Sequence, residues 1–194
     1  MSIIHRAIGI VHYNRANQIK QVVESVMDTK PPDTKVYIAD DGSEFVPRHS
    51  EIITIAAPNR GVCYNKNRIL FAAQHAHFIC ILEDDLVATE KGWFEGYEEC
   101  SSLLQNHYWV RVQDKEVPET IPAISEYMKN KNYNIIYGDS PRGDLTFLSQ
   151  AVIKKVGAFN PMFIGVGHGH REHALRVVKA NLISHPTNKW IDIK

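Results

Sequence analysis

The chain has 194 residues, 44% hydrophobic and 23% charged, with 22 Lys+Arg against 22 Asp+Glu, zero net charge and a pI near 7.2. That length supports one domain with a full core, and that composition a soluble globular protein. Zero net charge excludes reliance on bulk positive charge to hold nucleic acid or anionic membrane, and leaves only a local basic patch open.

Met1 to Arg6 shows no basic segment followed by an apolar core, so no signal peptide is expected, and no apolar run approaches the ~20 residues of a spanning helix. Ala7 to His12 is rich in β-formers. Ala16 to Met27 follows with helical spacing of Ile19, Val22, Val23 and Val26. Pro31-Pro32-Asp33 breaks that helix, and Lys35 to Ala39 and Ile52 to Ala56 read as the next two strands. Asn59-Arg60-Gly61 turns the chain into a helix predicted over Tyr64 to Ala76. The apolar run Phe78 to Leu82 reads as a buried strand, and a further helix is expected from Trp93 to Gln105.

Gln113 to Asn134 is polar, with Pro118 and Pro122, and reads either as an insertion or flap or as a plain surface excursion. Order resumes later, where the Gly-rich turn Gly165 to Gly169 leads into a helix from about His170 to Ala180. Alternation of this kind predicts an α/β fold whose mostly parallel sheet carries helices on both faces and binds ligand at the carboxyl ends of its strands. Three polar signatures fall at those ends: His12-Tyr13-Asn14-Arg15, Asp40-Asp41-Gly42-Ser43 and Glu83-Asp84-Asp85.

Each signature has a bland alternative. A carboxylate at Asp40 or Asp41 can accept hydrogen bonds from a base or a ribose, but Asp-Gly-Ser also suits an Asx turn or a helix N-cap. Asn59-Arg60-Gly61 and Asn67-Arg68 suit a nucleotide edge and a cation near phosphate, or ordinary turn chemistry. Glu83-Asp84-Asp85 offers hard oxygen donors for Mg²⁺ or Mn²⁺, or a solvated strand end, and Asp85 is the better ligand of the three. His168-Gly169-His170-Arg171-Glu172-His173, followed by Arg176, sets potential bases beside a turn. His185, near Pro186, is a further candidate metal ligand for the same cleft. The scattered cysteines Cys63, Cys80 and Cys100 point to reduced thiols and a cytoplasmic setting, with peripheral membrane contact left open.

In this order the signatures resemble the nucleotide-sugar-binding half of family-2-type glycosyltransferases with the GT-A fold. Val156-Gly157-Ala158-Phe159-Asn160 is similar to that family's vGgFde segment, and the helix bearing Glu172 and Arg176 to its acidic catalytic helix. The resemblance runs from about residue 7 to residue 182. It implies one GT-A domain, with residues 1–110 binding the nucleotide sugar and 135–194 serving acceptor and catalysis.

By the same resemblance, a sugar moves from a UDP- or GDP-type nucleoside diphosphate donor to an acceptor hydroxyl, with inversion. The donor would be held by His12, Tyr13, Asn14, Arg15, Asp40, Asp41, Asn59, Gly61, Asn67 and Asp84. Glu83-Asp84-Asp85 stands for the family's D-x-D, so Asp85, with Glu83, would coordinate Mn²⁺ or Mg²⁺. Aligning on Arg176 puts His170 at the usual base and Glu172 at a later acid, and either is a candidate base. Arg142, Asp144 and Gln113–Asn134 are candidates for acceptor binding or closure over the donor. Two other readings are a sugar-nucleotide nucleotidyltransferase and a non-catalytic nucleotide-sugar-binding module. The first expects a Gly-rich phosphate loop where His12 to Asn17 stands, and the second follows from the missing Glu-Asp pair.

Overall fold

The computed structural model describes residues 5–112, 135–138, 141–164, 168–183 and 190–193. His185 and Gln113–Asn134 lie outside them. The first half alternates strand and helix: β1 (Arg6–His12), α1 (Ala16–Thr29), β2 (Thr34–Asp40), β3 (Ile52–Ala56), α2 (Val62–Ala72), β4 (Phe78–Glu83) and α3 (Trp93–Leu104). The second half adds β5 (Tyr108–Val112), β6 (Ile135–Gly138), β7 (Pro141–Ser149), α4 (Gln150–Val156), α5 (His168–Lys179) and β8 (Trp190–Ile193).

Six strands form one sheet in the order β3-β2-β1-β4-β7-β5, and β6 pairs with β8 in a separate two-stranded ladder. β1 to β4 are parallel to one another, while β7 runs antiparallel to both β4 and β5. Period-two alternation sends Ile8, Ile10, Val36, Ile38, Cys80 and Leu82 to one buried face. Ala7, Val11, Tyr37, Ala39, Ile79 and Ile81 go to the other. Both faces are apolar because both are covered, as a parallel sheet requires.

Ile19, Val22, Val23 and Val26 of α1 and Phe94, Tyr97 and Cys100 of α3 close the first face. Residues of α2, α4 and α5 close the second, among them Ile69, Leu70, Val152, Ala174 and Val177. The contact of α2 with β1 depends on a glycine: a Cβ at Gly9 would lie 2.2 Å from Ile69 Cγ2. All three cysteines are buried thiols. No helix among the described residues is long and apolar enough to cross a membrane.

Several bounds differ from the sequence expectation. α2 begins at Val62 and ends at Ala72 instead of spanning Tyr64 to Ala76. Gly61, at φ +91°, lets the helix start immediately after it, and Ala73 caps the end by donating to Ile69 O. β5, β7 and α4 are additions to the expected elements. The register completes the frame: His12 stands opposite Asp40, and Val11 opposite Glu83. The three polar signatures therefore share one edge of the sheet.

Candidate active site

Asp84 is the buried centre of this edge. Its Oδ2 accepts from Tyr13 N at 3.1 Å and lies 2.7 Å from His12 Nδ1, while Arg15 Nη1 is 3.3 Å from Oδ1. The other nitrogen of His12, Nε2, lies 2.9 Å from Phe45 O. Both ring nitrogens face acceptors, so the imidazole donates twice and is charged. Burial opposes that charge, but the hydrogen bonds to Asp84 and Phe45 and the charges of Asp84 and Asp40 outweigh it, and the pKa is raised. Arg15 also contacts Asp85, and Lys66 Nζ lies 3.3 Å from Glu83 Oε1. Each carboxylate of the triplet is thus matched by a cation of the chain.

The second signature divides between its two acids. Asp40 makes an Asx turn, accepting from Gly42 N at 3.2 Å and Ser43 N at 3.1 Å. Asp41 reaches across to the 59–61 turn: its Oδ1 accepts from Arg60 N and Arg68 Nη2, and its Oδ2 from Gly61 N at 2.9 Å. A Cβ at Gly61 would lie 2.5 Å from Ile164 O, so backbone approaches backbone there. Asn14, at φ +52°, accepts from Glu44 N and so ties the end of β1 to the Asp-Asp-Gly-Ser loop.

On the far side, Asn67 pins Phe159, accepting from its N and donating to its O, both at 2.8 Å. Glu172 is paired with Arg176 at 2.7 Å, and the same guanidinium donates to Val156 O and Ala158 O. His173 is buried against Phe159, with ring centroids 4.2 Å apart. Its Nε2 lies 3.0 Å from Gly157 O, and burial drives its pKa down to about 4. These contacts join α5 to the end of α4.

A cleft of about 790 Å³ opens at the strand edge. It brings together His12, Tyr13, Arg15, Asp41, Asn59, Gly61, Glu83, Asp84 and Asp85 with Arg142, Asp144 and His170. Asn14, Asp40, Asn67 and Glu172 are not among its lining residues; the contacts above hold them in turns and struts behind it. Lys66 and Gly143 line it as well, and neither stands out in the sequence. A lysine on a helix ordinarily reads as solvated, and only β7 and Glu83 closing over Lys66 reveal its place.

Residues 7–98 match the family model described as Glycosyl transferase family 2. Over that stretch the chain is similar to family-2-type glycosyltransferases. No curated protein sequence matches it significantly. Among solved structures it is similar to S. aureus TarS 1–349, at 12% identity and TM-score 0.59, over 92% of this chain and 55% of that one. It is also similar to the mannosyltransferase PcManGT from Pyrobaculum calidifontis, in complex with GDP-Man and Mn²⁺, at 15% identity and TM-score 0.61. That match covers 90% of this chain and 51% of the other. The chain therefore spans about half the length of these two structures. A longer S. aureus TarS structure matches at 13% identity and TM-score 0.59, over 92% of this chain and 33% of that one. The shared fold is GT-A.

Whether this site suits a divalent cation turns on its oxygen donors. Among the described residues, no three His, Cys, Asp or Glu side chains form a ready-made cage. Asp84 is buried and committed to His12 and Tyr13. The Asp85 side chain is 45% exposed and engaged by Arg15. One accessible carboxylate fits an ion of the Mg²⁺ or Mn²⁺ kind, which takes one or two carboxylates and completes its shell with water and substrate phosphate.

Proposed function

We propose that the domain transfers a sugar from a UDP- or GDP-type nucleoside diphosphate donor to an acceptor hydroxyl, with inversion at the anomeric carbon. The observation that carries this reading is the convergence of three strand-end signatures and His170 on one cleft. The GDP-Man and Mn²⁺ in the PcManGT structure support the same donor chemistry here.

In this reading Tyr13 and Asn59 face the nucleoside. Asp41 keeps the 59–61 turn in place through Arg60 N and Gly61 N. Arg15 supplies a cation for the diphosphate, and Asp84, clamped by His12, holds Arg15 within reach. Asp85, with Glu83 beside it, would hold Mn²⁺ or Mg²⁺, which when bound offsets the charge that builds on the departing diphosphate.

His170 is the base. It accepts the proton of the acceptor hydroxyl as that oxygen bonds to the anomeric carbon and the bond from that carbon to the diphosphate breaks. His170 lines the cleft and Glu172 does not, which favours His170 for this role. The three buried thiols support a reducing, cytoplasmic setting.

A thermal-shift screen of nucleotide sugars with Mn²⁺ tests donor and metal together. At least one UDP- or GDP-sugar is expected to raise Tm only when the metal is present. A flat response across the whole panel contradicts the proposal.

A further inference from the structure

Lys66 joins the acidic strand end to the opposite wall of the cleft. It sits on α2 and is 2% exposed. Its Nζ donates to Gly143 O at 2.6 Å and lies 3.3 Å from Glu83 Oε1 and 5.7 Å from the centre of the Phe159 ring. A buried ammonium persists only where acceptors replace its water, and here a carboxylate and a carbonyl do so.

The carbonyl belongs to the first half of β7, beside a register irregularity in the sheet. Pairing of β7 with β4 ends at Leu145. On its other side, the register with β5 shifts between the pairs Val110–Thr146 and Val112–Pro141. Residue 143 falls between those pairs, and the bond from Lys66 holds its carbonyl at 2.6 Å.

Gly143 in turn borders His170. A Cβ at position 143 would lie 2.8 Å from His170 Nδ1 and 3.2 Å from Cγ. The imidazole occupies the space that any side chain there would need.

We propose that Lys66 and Gly143 position the His170 imidazole, Lys66 by fixing the backbone at residue 143 and Gly143 by leaving the ring its place. The inference rests on His170 being the base. It makes Lys66 a strut between the diphosphate end of the cleft, through Glu83, and the proton-transfer end. Small displacements of a reacting group cost rate far more than affinity, so the signature is lost turnover with retained donor binding.

The test uses the whole chain labelled at its histidine Cε1 positions, with the His170 NMR signal assigned by its disappearance in His170→Ala. That signal is expected to move in Gly143→Ala and Lys66→Met and to return toward its wild-type position in Lys66→Arg, while the His12 and His173 signals stay. Hydrolysis of the UDP- or GDP-sugar found by the thermal-shift screen should fall about 10- to 100-fold in Gly143→Ala, with Kd for the matching nucleoside diphosphate and Mn²⁺ within about twofold of wild type. The loss should vanish when Gly143→Ala is made in the His170→Ala background, because the two changes act through one group. A His170 signal unmoved in both Gly143→Ala and Lys66→Met overturns the positioning claim. Wild-type hydrolysis by His170→Ala overturns instead the base assignment beneath it.

Discussion

His12 and His173 are both buried, yet their surroundings drive their protons in opposite directions. His12 donates from both ring nitrogens to Asp84 and the Phe45 carbonyl, which outweigh the burial that opposes its charge and raise its pKa. Its stabilisation is therefore full below the unfolded value of about 6.5 and is lost as pH climbs through the raised folded value. His173, sunk against Phe159, is held neutral with a pKa of about 4. Between about 6.5 and 4 the unfolded chain takes up a proton that the folded chain refuses, at a cost of about 3 kcal/mol once pH has fallen below both values.

Denaturant titrations across pH should therefore show wild-type stability falling on both sides. His12→Gln should flatten the alkaline fall and His173→Gln part of the acid fall; curves parallel to wild type in both variants contradict these environments. The residue scale also shows what single residues can announce. The Glu83-Asp84-Asp85 cluster is visible in the sequence because carboxylates are unexpected after five apolar residues. The roles of Asp84 and Asp85 separate only when His12 arrives at the end of β1 and Arg15 at the start of α1.

Among the elements, β1 and α2 meet through a missing side chain. Ile69 fills the space beside Gly9, where a Cβ would lie 2.2 Å away. Gly9→Ala should destabilise the fold by about 1–3 kcal/mol through overpacking, read as a lower urea midpoint at unchanged m. Ile69→Ala should relieve part of that loss in the double variant, and strictly additive costs would argue against the contact.

The elements of the first half were legible because a strand buried on both faces and an amphipathic helix leave strong periodic patterns. β7 was not. It opens on Pro141-Arg142-Gly143-Asp144, residues that ordinarily mark a turn, and only Leu145 to Leu148 carry β character. Its place is fixed by antiparallel pairing with β4 and β5, and such long-range partners leave no local trace. Lys66 leaves no local trace for the same reason, since its acceptors lie on β4 and β7.

For the whole molecule, the sheet order turns a linear list of motifs into a site. With β2, β1 and β4 adjacent and parallel, residues 12, 40 and 83–85 fall on one edge. The antiparallel β7 then carries Gly143 in from the opposite direction to meet His170 at the start of α5. The family-2 match over residues 7–98 covers all three strand-end signatures. The remaining wall, with Arg142, Asp144 and His170, is where the acceptor would enter.

The central claim is that this edge binds a nucleoside diphosphate through a divalent cation held by Asp85. Isothermal titration of UDP and of GDP, each with and without Mn²⁺, into wild type and Asp85→Ala tests it most directly. The account predicts that one nucleotide binds wild type in the presence of Mn²⁺ and that its affinity falls at least about tenfold in Asp85→Ala, a loss of roughly 1.4 kcal/mol or more. Equal affinity in the two proteins, or no binding of either nucleotide with Mn²⁺ present, would contradict it.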